Sequence, residues 1–393
     1  MIATVLKNPT VRRLSAVQLI VYFGSWFSNV AIYTMILRFG VDPLTNALVV
    51  SMYALPALLA PLNGAIVDKF EFRRFMLLMM AIELTMTLLY LTIHDISQIY
   101  WLMLFIFIRM MAAFLFFTAE MSLLPQLFKG DTLKSVNELH SIIWSITYAL
   151  GMALGGVAVN RLGIYNTILI DALLFGVGML LFLRVRFTVA KKETPSIRKM
   201  ITEGLHYLKT HQKLLHLIFL HSIVAFTAFD TLINLLTDLY YKYIIAIPLA
   251  IGWLNGMRAL GLMVGPLILS KFVSPRTLHL IFIAQGAMIL VWSQVAHDFW
   301  FSLATMLGVG FFTTTLWSYT YTLIQKSTDE AYLGRVIAYN DMIFMIVTIS
   351  VTLFTGAAYK WGISLQTITA LLGMAFITGA LYYRWLYNKH ELS

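Results

Sequence analysis

The sequence predicts an all-α membrane protein of twelve transmembrane helices, and three observations predict it. Of the 393 residues, 60% are hydrophobic and only 12% are charged, with a mean hydropathy of +0.81. A soluble domain carries about 25% charged residues, so this chain is not built to face water on every side. The apolar residues fall in long runs, each near the roughly 20 residues that a helix needs to cross a bilayer. Basic residues gather in alternate connections between these runs, the asymmetry that sets membrane orientation.

The runs place spans at 14–37, 44–67, 74–94, 99–123, 137–160, 164–186, 214–240, 247–270, 277–296, 299–324, 334–359 and 363–387. Backbone groups in lipid must be satisfied internally, so each run reads as an uninterrupted helix. The short alternating segments of a β-barrel are missing. With the N-terminus inside, the inner connections hold Lys7, Arg12, Arg13, Lys69, Arg73, Arg74, Lys129, Lys134 and the basic residues from Arg184 to Lys213. Lys271, Arg276, Lys326, Arg335, Arg384 and Lys389 complete that set, while the outer connections hold Arg38, Arg161, Lys242 and Lys360. An even number of spans then puts both termini in the cytoplasm, as a multi-pass protein of the cytoplasmic (inner) membrane. The net charge of +10 belongs to this topology and not to nucleic acid, for which no reading motif is present. Cysteine is absent, which excludes disulfides and thiolate metal sites.

Segment 187–213 is the one long connection. It divides the chain into 1–186, a linker at 187–213, and 214–393. Ile197, Met200, Ile201, Leu205 and Leu208 give the linker the apolar spacing of a helix lying on the inner leaflet; a solvated linker is the alternative. A weak repeat relates the two flanks: the stretch from Gly64 to Arg74 parallels Gly265 to Arg276, and Gln126 with Asp131 parallels Gln325 with Asp329, at a near-constant shift. Duplicated six-helix halves produce that pattern.

The stretch Gly64-x-x-x-Asp68-Lys69-x-x-x-Arg73-Arg74 resembles the signature loop between helices 2 and 3 of the major facilitator superfamily, with Phe72 where a glycine often stands. The resemblance implies two pseudo-symmetric six-helix bundles. It also implies a cytoplasmic latch in which Asp68 and the following basic residues meet the start of helix 11 near Arg335. Gly151, Gly155 and Gly156 resemble the glycine motif of the drug-antiporter branch, with Met152 in place of its proline, and imply packing between the halves. Arg109 matches the arginine of a third antiporter motif. Gly155-Gly156 through Gly163 to Ile170-Asp171-Ala172, and Gln325-x-x-x-Asp329-x-x-x-x-Gly334-Arg335-Val336, look like the branch that contains enterobactin exporters and macrolide-efflux proteins.

Ionisable groups at mid-bilayer cost about 2.5–3.5 kcal/mol each on insertion scales, so they face a cavity or a partner. Glu83, Arg109, Glu120, Asp171, Asp230, Arg258 and Asp341 fall inside predicted spans. The resemblance implies that helices 1, 4, 7 and 10 line the central cavity, which favours Arg109, Glu120 and Asp230 over Glu83 and Asp171. Asp230, Glu120 and Asp341 are the candidate proton carriers, and Arg258 is a candidate neutralising partner for Asp230. Tyr22, Trp26, Asn29 and Tyr33 on span 1, with Thr313, Thr314, Trp317 and Tyr321 on span 10, suit a bulky, partly apolar or cationic solute.

These features point to a secondary exporter of a small organic molecule (a drug, siderophore or metabolite), a proton antiporter rather than a symporter, acting as a monomer without a cofactor. Its partners are then the solute, protons and the bilayer. Intramembrane hydrolases would need H-E-x-x-H or G-x-S-x-G, and neither occurs, nor does a Walker motif. Export of a divalent metal ion such as nickel or iron is the alternative, prompted by His206, His211, His216 and His221. Their five-residue spacing keeps them off any single helix face.

Overall fold

The computed structural model describes residues 5–67, 70–185, 197–330 and 332–390, and every regular element among them is helical. The first helix, α1 (Pro9–Arg38), starts where Asn8 accepts from the Thr10 and Val11 N–H groups and Pro9 takes the first turn. That pairing satisfies donors a helix start would orphan and uses a residue with none to lose. Asp42 and Pro43 repeat the device at α2 (Pro43–Ser51). The chain continues as α3 (Ala60–Val67), α4 (Phe72–Leu89), α5 (Ile99–Leu127), α6 (Gly130–Leu162) and α7 (Ile164–Phe182). After α8 (Ile197–Thr210) come α9 (Gln212–Ser222), α10 (Asp230–Leu239), α11 (Ile247–Leu269), α12 (Leu278–Val295), α13 (Phe299–Lys326), α14 (Leu333–Lys360) and α15 (Leu365–His390). Among the described residues, 11 helices are long and apolar enough to cross a membrane, or 12 when one bent pair counts as a single span.

Two expected spans are not continuous. The second bends by 43° between Pro43–Ser51 and Leu55–Asn63, around a 3₁₀ turn that contains Pro56. Proline lacks the N–H that a continuous helix requires there. The seventh breaks between α9 and α10, through a 3₁₀ turn at Ile223–Thr227 and two non-helical residues, Ala228 and Phe229. Neither Gly nor Pro marks this break.

Burial separates the core along the chain. One apolar cluster runs from Val11 to Val185, and another draws only on residues from Tyr207 to Leu386. A third, built on Val30–Ile36, Tyr148, Met152 and Ile168, also takes in Ile251 and Ala259 of α11, so it bridges the two. The bridge lies toward the end opposite the termini. There Gly156 of α6 meets α11 so closely that an added Cβ would stand 2.5 Å from the Pro248 carbonyl oxygen, and Gly252 answers with a Cβ 2.6 Å from the Met152 oxygen. Gly356 of α14 likewise abuts Pro43 and Ala47 of α2. An ion pair of 3.0 Å between Asp42 and Lys360 crosses the same rim. Backbones this close leave no passage between them, so this end is closed.

Candidate functional site

Three buried polar clusters hold most of the intramembrane charges. The first sits where the seventh span breaks. Ala228 takes φ −73°, ψ 73°, the inverse γ-turn geometry, and the Phe229 N–H donates back to the Thr227 oxygen at 2.9 Å. Arg258 of α11 donates from Nη2 to that same oxygen at 2.7 Å and lies over the Phe229 ring at 5.3 Å. A broken helix is tolerated at membrane depth when neighbours satisfy the freed backbone groups, and Arg258 does so here. Asp230 then opens α10, where the positive end of the helix dipole favours a carboxylate. Its side chain is half-buried; Tyr33 of α1 approaches as a hydrogen-bond partner, and Arg258 is the cation it feels. Arg258 itself is buried, and its Nε has no partner. The expected Asp230–Arg258 neighbourhood is therefore present, with the guanidinium committed to a backbone carbonyl rather than closed on the carboxylate.

The second cluster lies in the residues before Val185. Arg109 of α5 closes an ion pair of 2.9 Å with Asp171 of α7, both nearly inaccessible. Ser28 and Ser25 of α1 accept from the guanidinium at 3.2 and 3.3 Å, and Tyr90 and Phe175 offer their ring faces at 5.7 and 5.4 Å. Gly24 makes room: a Cβ there would run into Asp171 Oδ1. Asp171, set aside by the sequence reading as a residue of a supporting helix, is thus the partner of Arg109. The sequence offered no signal for it, because Arg109 and Asp171 are brought together only by the packing of α5, α1 and α7. Glu83 of α4 is buried nearby and contributes to the field around Arg109.

The third cluster gathers Gln18 and Tyr22 of α1, Glu120 of α5 and His140 of α6. Gln18 Nε2 bonds to Glu120 Oε1 and lies 2.6 Å from His140 Nδ1. Tyr22 donates to Glu120 Oε2 at 3.1 Å, and His140 Nδ1 stands 3.8 Å from that oxygen. His140 is buried with its Nε2 unpartnered.

With this geometry in hand, the relatives decide the family. Residues 14–352 match the sequence profile of the Major Facilitator Superfamily. The chain belongs to that superfamily. Two uncharacterized MFS-type transporters of Bacillus subtilis (strain 168) are similar to it: YfiS, 26% identical over 50% of this chain and 48% of its own length, and YkuC, 24% identical over 78% and 75%. The chain therefore spans about half the length of the first relative it matches and three quarters of the second. Among solved structures, a nucleoside transporter, NupG, superposes with a TM-score of 0.74 at 13% identity, covering 96% of this chain and 99% of that one. A bacterial homologue of the human lysosomal transporter Spinster, inward-facing and occupied, superposes at 0.70 with 12% identity, over 98% and 96%. At such identities the likeness is one of fold. This member of the superfamily is a multi-pass membrane transporter.

Its signature loop is partly in view. Gly64 lies in α3, while Asp68 and Lys69 fall outside the described residues. Arg73 donates to the Leu183 oxygen at 2.8 Å, and Arg74 pairs with Glu71 at 2.9 Å, so both bind within the first part of the chain. Arg335, the expected latch partner, pairs with Glu203 of α8 at 2.9 Å. Alongside, Tyr207 stacks on Tyr332 at 4.2 Å and accepts from the Asp329 N–H. α8 is thereby docked on α14, and at Gly204 a Cβ would come within 2.9 Å of the Tyr339 ring.

The glycine motif divides. Gly151 and Gly155 turn toward α1, against Trp26 and Phe27, and Gly156 alone faces α11. Residues four apart share a helix face and the next residue stands about 100° away, which accounts for the split. Of the aromatic candidates, Trp26 packs on Tyr148 and Trp144 at 4.4 and 5.9 Å. Tyr33 meets Tyr53 at 5.7 Å, and Asn29 is buried. Trp317 stacks on Tyr321 at 4.9 Å yet stays 40% exposed, beside half-buried Thr314 and Asp341. Asn340 donates to Asp341 at 3.1 Å. The four histidines are dispersed: His216 meets Tyr382 at 2.6 Å, His221 meets Thr320 at 2.8 Å, and His211 turns to the Tyr207 oxygen. Among the described residues no three His, Asp or Glu side chains converge as a metal site.

Proposed function

We propose that this transporter is a secondary active exporter of a small organic molecule, a drug, siderophore or metabolite, and that it works by alternating access with proton antiport. The observation that carries the reading is the break in the seventh span. A half-buried carboxylate at a helix N-terminus, between a tyrosine of α1 and an arginine of α11, is held by elements from both sides of the seam. Discontinuous helices near the midplane are where secondary transporters bind solutes and coupling ions. When Asp230 is ionised it draws Arg258; when it takes a proton the attraction ends and the guanidinium is left to the Thr227 carbonyl. The two protonation states therefore favour different settings of α11 against α1 and α10, which is what coupling requires.

The rest of the reading follows from placement. The basic connections put both termini in the cytoplasm of a cell with this protein in its cytoplasmic membrane, so the closed rim faces outward and the resting conformation opens inward. Residues 1–186 and 214–393 act as two six-helix lobes joined by 187–213. Trp26, Trp144 and Tyr148 on one side, with Trp317 and Tyr321 on the other, supply flat apolar surface for the cargo, and the resemblance to macrolide-efflux and enterobactin-export proteins favours a bulky one. Export of a divalent metal ion lacks comparable support, because the histidines stand apart.

The test begins with the cargo. A strain deleted for this transporter is screened for drug susceptibility and for retained metabolites and metals, and the compound so found is loaded with purified protein in proteoliposomes. An imposed pH gradient drives uphill movement of an organic compound on this account. Retention of nickel or iron instead, or movement indifferent to the gradient, overturns it.

A further inference from the structure

The cluster of Gln18, Tyr22, Glu120 and His140 plays no part in the reading above, and its chemistry asks for a proton. Glu120 is buried, and among the described residues His140 is the only cation-forming side chain within ion-pair reach of it. The side chains that reach the carboxyl are Gln18 and Tyr22 from α1 and His140 from α6, and the further charge felt at Tyr22 is the acidic Glu83 of α4. An ionised carboxylate with no cation is costly to hold in such surroundings, so the site favours taking up a proton. One proton makes the group neutral, and two side chains stand ready to hold it.

We propose that Glu120 and His140 form a proton-binding pair of their own, distinct from Asp230 and read by the amide of Gln18. The two ends of an amide exchange donor for acceptor by a half-turn. With the pair deprotonated, Gln18 Nε2 donates both to Glu120 Oε1 and to His140 Nδ1, the arrangement described above. With one proton bound, Glu120 carries it as a carboxylic acid, the amide turns, and its oxygen accepts from the Glu120 hydroxyl and from His140 Nδ1–H. His140 gives up its Nε2–H and gains Nδ1–H in this step, and because Nε2 is unpartnered no hydrogen bond is lost at that nitrogen, while the Gln18–His140 bond reverses its direction. The balance is one proton gained by Glu120 and a tautomer shift on His140.

The pair is well separated from Asp230. Gln18 and Tyr33 mark the two clusters on α1, and their fifteen residues of separation correspond to about 22 Å along the helix at roughly 1.5 Å per residue. Glu120 lies near the inner end of α5, so the pair exchanges protons with the terminus-bearing face. All four side chains belong to residues before Val185, so a rocking motion between lobes leaves the cluster intact while it remakes the surroundings of Asp230. This inference extends the proton-coupled reading, but binding of the proton stands without it.

Infrared titration of the full-length protein in lipid nanodiscs, with no solute and no gradient, tests it. A protonated-carboxyl band should vanish as pH rises, be missing in Glu120→Gln, and persist in Asp230→Asn. Gln18→Leu should move the midpoint of that band upward by about one pH unit or more, since it removes an N–H that favours the carboxylate, and His140→Phe should move the midpoint as well, since it removes the group whose tautomer follows the proton. A purely structural histidine would leave the midpoint in place. The proposal is overturned if Glu120→Gln leaves the titrating bands unchanged, or if both partner variants titrate at the wild-type midpoint. Failure of transport coupling in proteoliposomes would count against the exporter reading alone, because the band needs no flux.

Discussion

Two arginine–carboxylate neighbourhoods in this transporter use the same chemistry to opposite ends. Arg109 and Asp171 are closed on one another at 2.9 Å, ringed by serines and aromatic faces, on three unbroken helices of one core. Arg258 and Asp230 are divided: the arginine is spent on the Thr227 carbonyl, and the carboxylate stands half-buried at a helix start beside the seam. A closed buried pair is costly to form and more costly to break from one side, so it suits a fixed joint. An arginine with a backbone alternative can let go of its carboxylate without stranding its charge. On the proposed reading that difference separates a structural charge from a mobile one, even though both lie in predicted spans.

The largest expected effect lies at the fixed joint. Asp171→Asn or Arg109→Met should cost about 3–5 kcal/mol, as removal of one partner of a buried pair does. Thermal unfolding in detergent measures it, and the pairwise replacement Arg109→Met with Asp171→Leu should recover much of the loss. Asp230→Asn should leave the unfolding temperature within a few degrees of wild type; a loss as large as that of Asp171→Asn would erase the distinction between the two sites.

A smaller effect sharpens the same contrast. Gly24→Ala drives a Cβ into Asp171 and should cost about 1–3 kcal/mol, the usual penalty of overpacking. Gly176→Ala meets nothing within 4 Å and should be neutral or stabilising by up to roughly 1 kcal/mol, the helix-propensity gain of Ala over Gly. Equal losses at the two positions would mean that backbone freedom, rather than room for Asp171, makes Gly24 necessary.

The smallest effect concerns the closed rim. Asp42 is exposed, and its carboxyl is held below the usual carboxylate range by the Thr45 hydroxyl first, then by Lys360 and the Leu44 N–H. A lowered folded-state value means that this contribution is complete above the ordinary carboxylate range and is lost as pH falls through the lowered value. An exposed pair of this kind is worth about 0.2–1 kcal/mol. Because the chain has no cysteine, a single cysteine placed under the rim reports opening directly. Its labelling from outside should rise modestly in Asp42→Asn, and in the unmodified rim only at strongly acidic pH.

The helical character and the number of spans were legible in the sequence, because apolar run length is a local property that the bilayer enforces. The bend of the second span was legible in principle through Pro56. The break at Ala228–Phe229 was not, since neither Gly nor Pro marks it and the group that makes it tolerable, Arg258, lies a whole span away. Asp171 as partner of Arg109, and His140 as partner of Glu120, were hidden for the same reason: each pairing spans different helices. Glycine spacing told which residues were small enough for close packing, but only the rotation of α6 told that Gly151 and Gly155 look inward and Gly156 across.

The account stands most directly on the behaviour of Asp230→Asn in proteoliposomes, read as two rates on one preparation. Exchange of labelled for unlabelled cargo at equal pH should persist, since the cavity still changes access, while accumulation driven by a pH gradient should fall to background. Gradient-driven accumulation at the wild-type rate would contradict it.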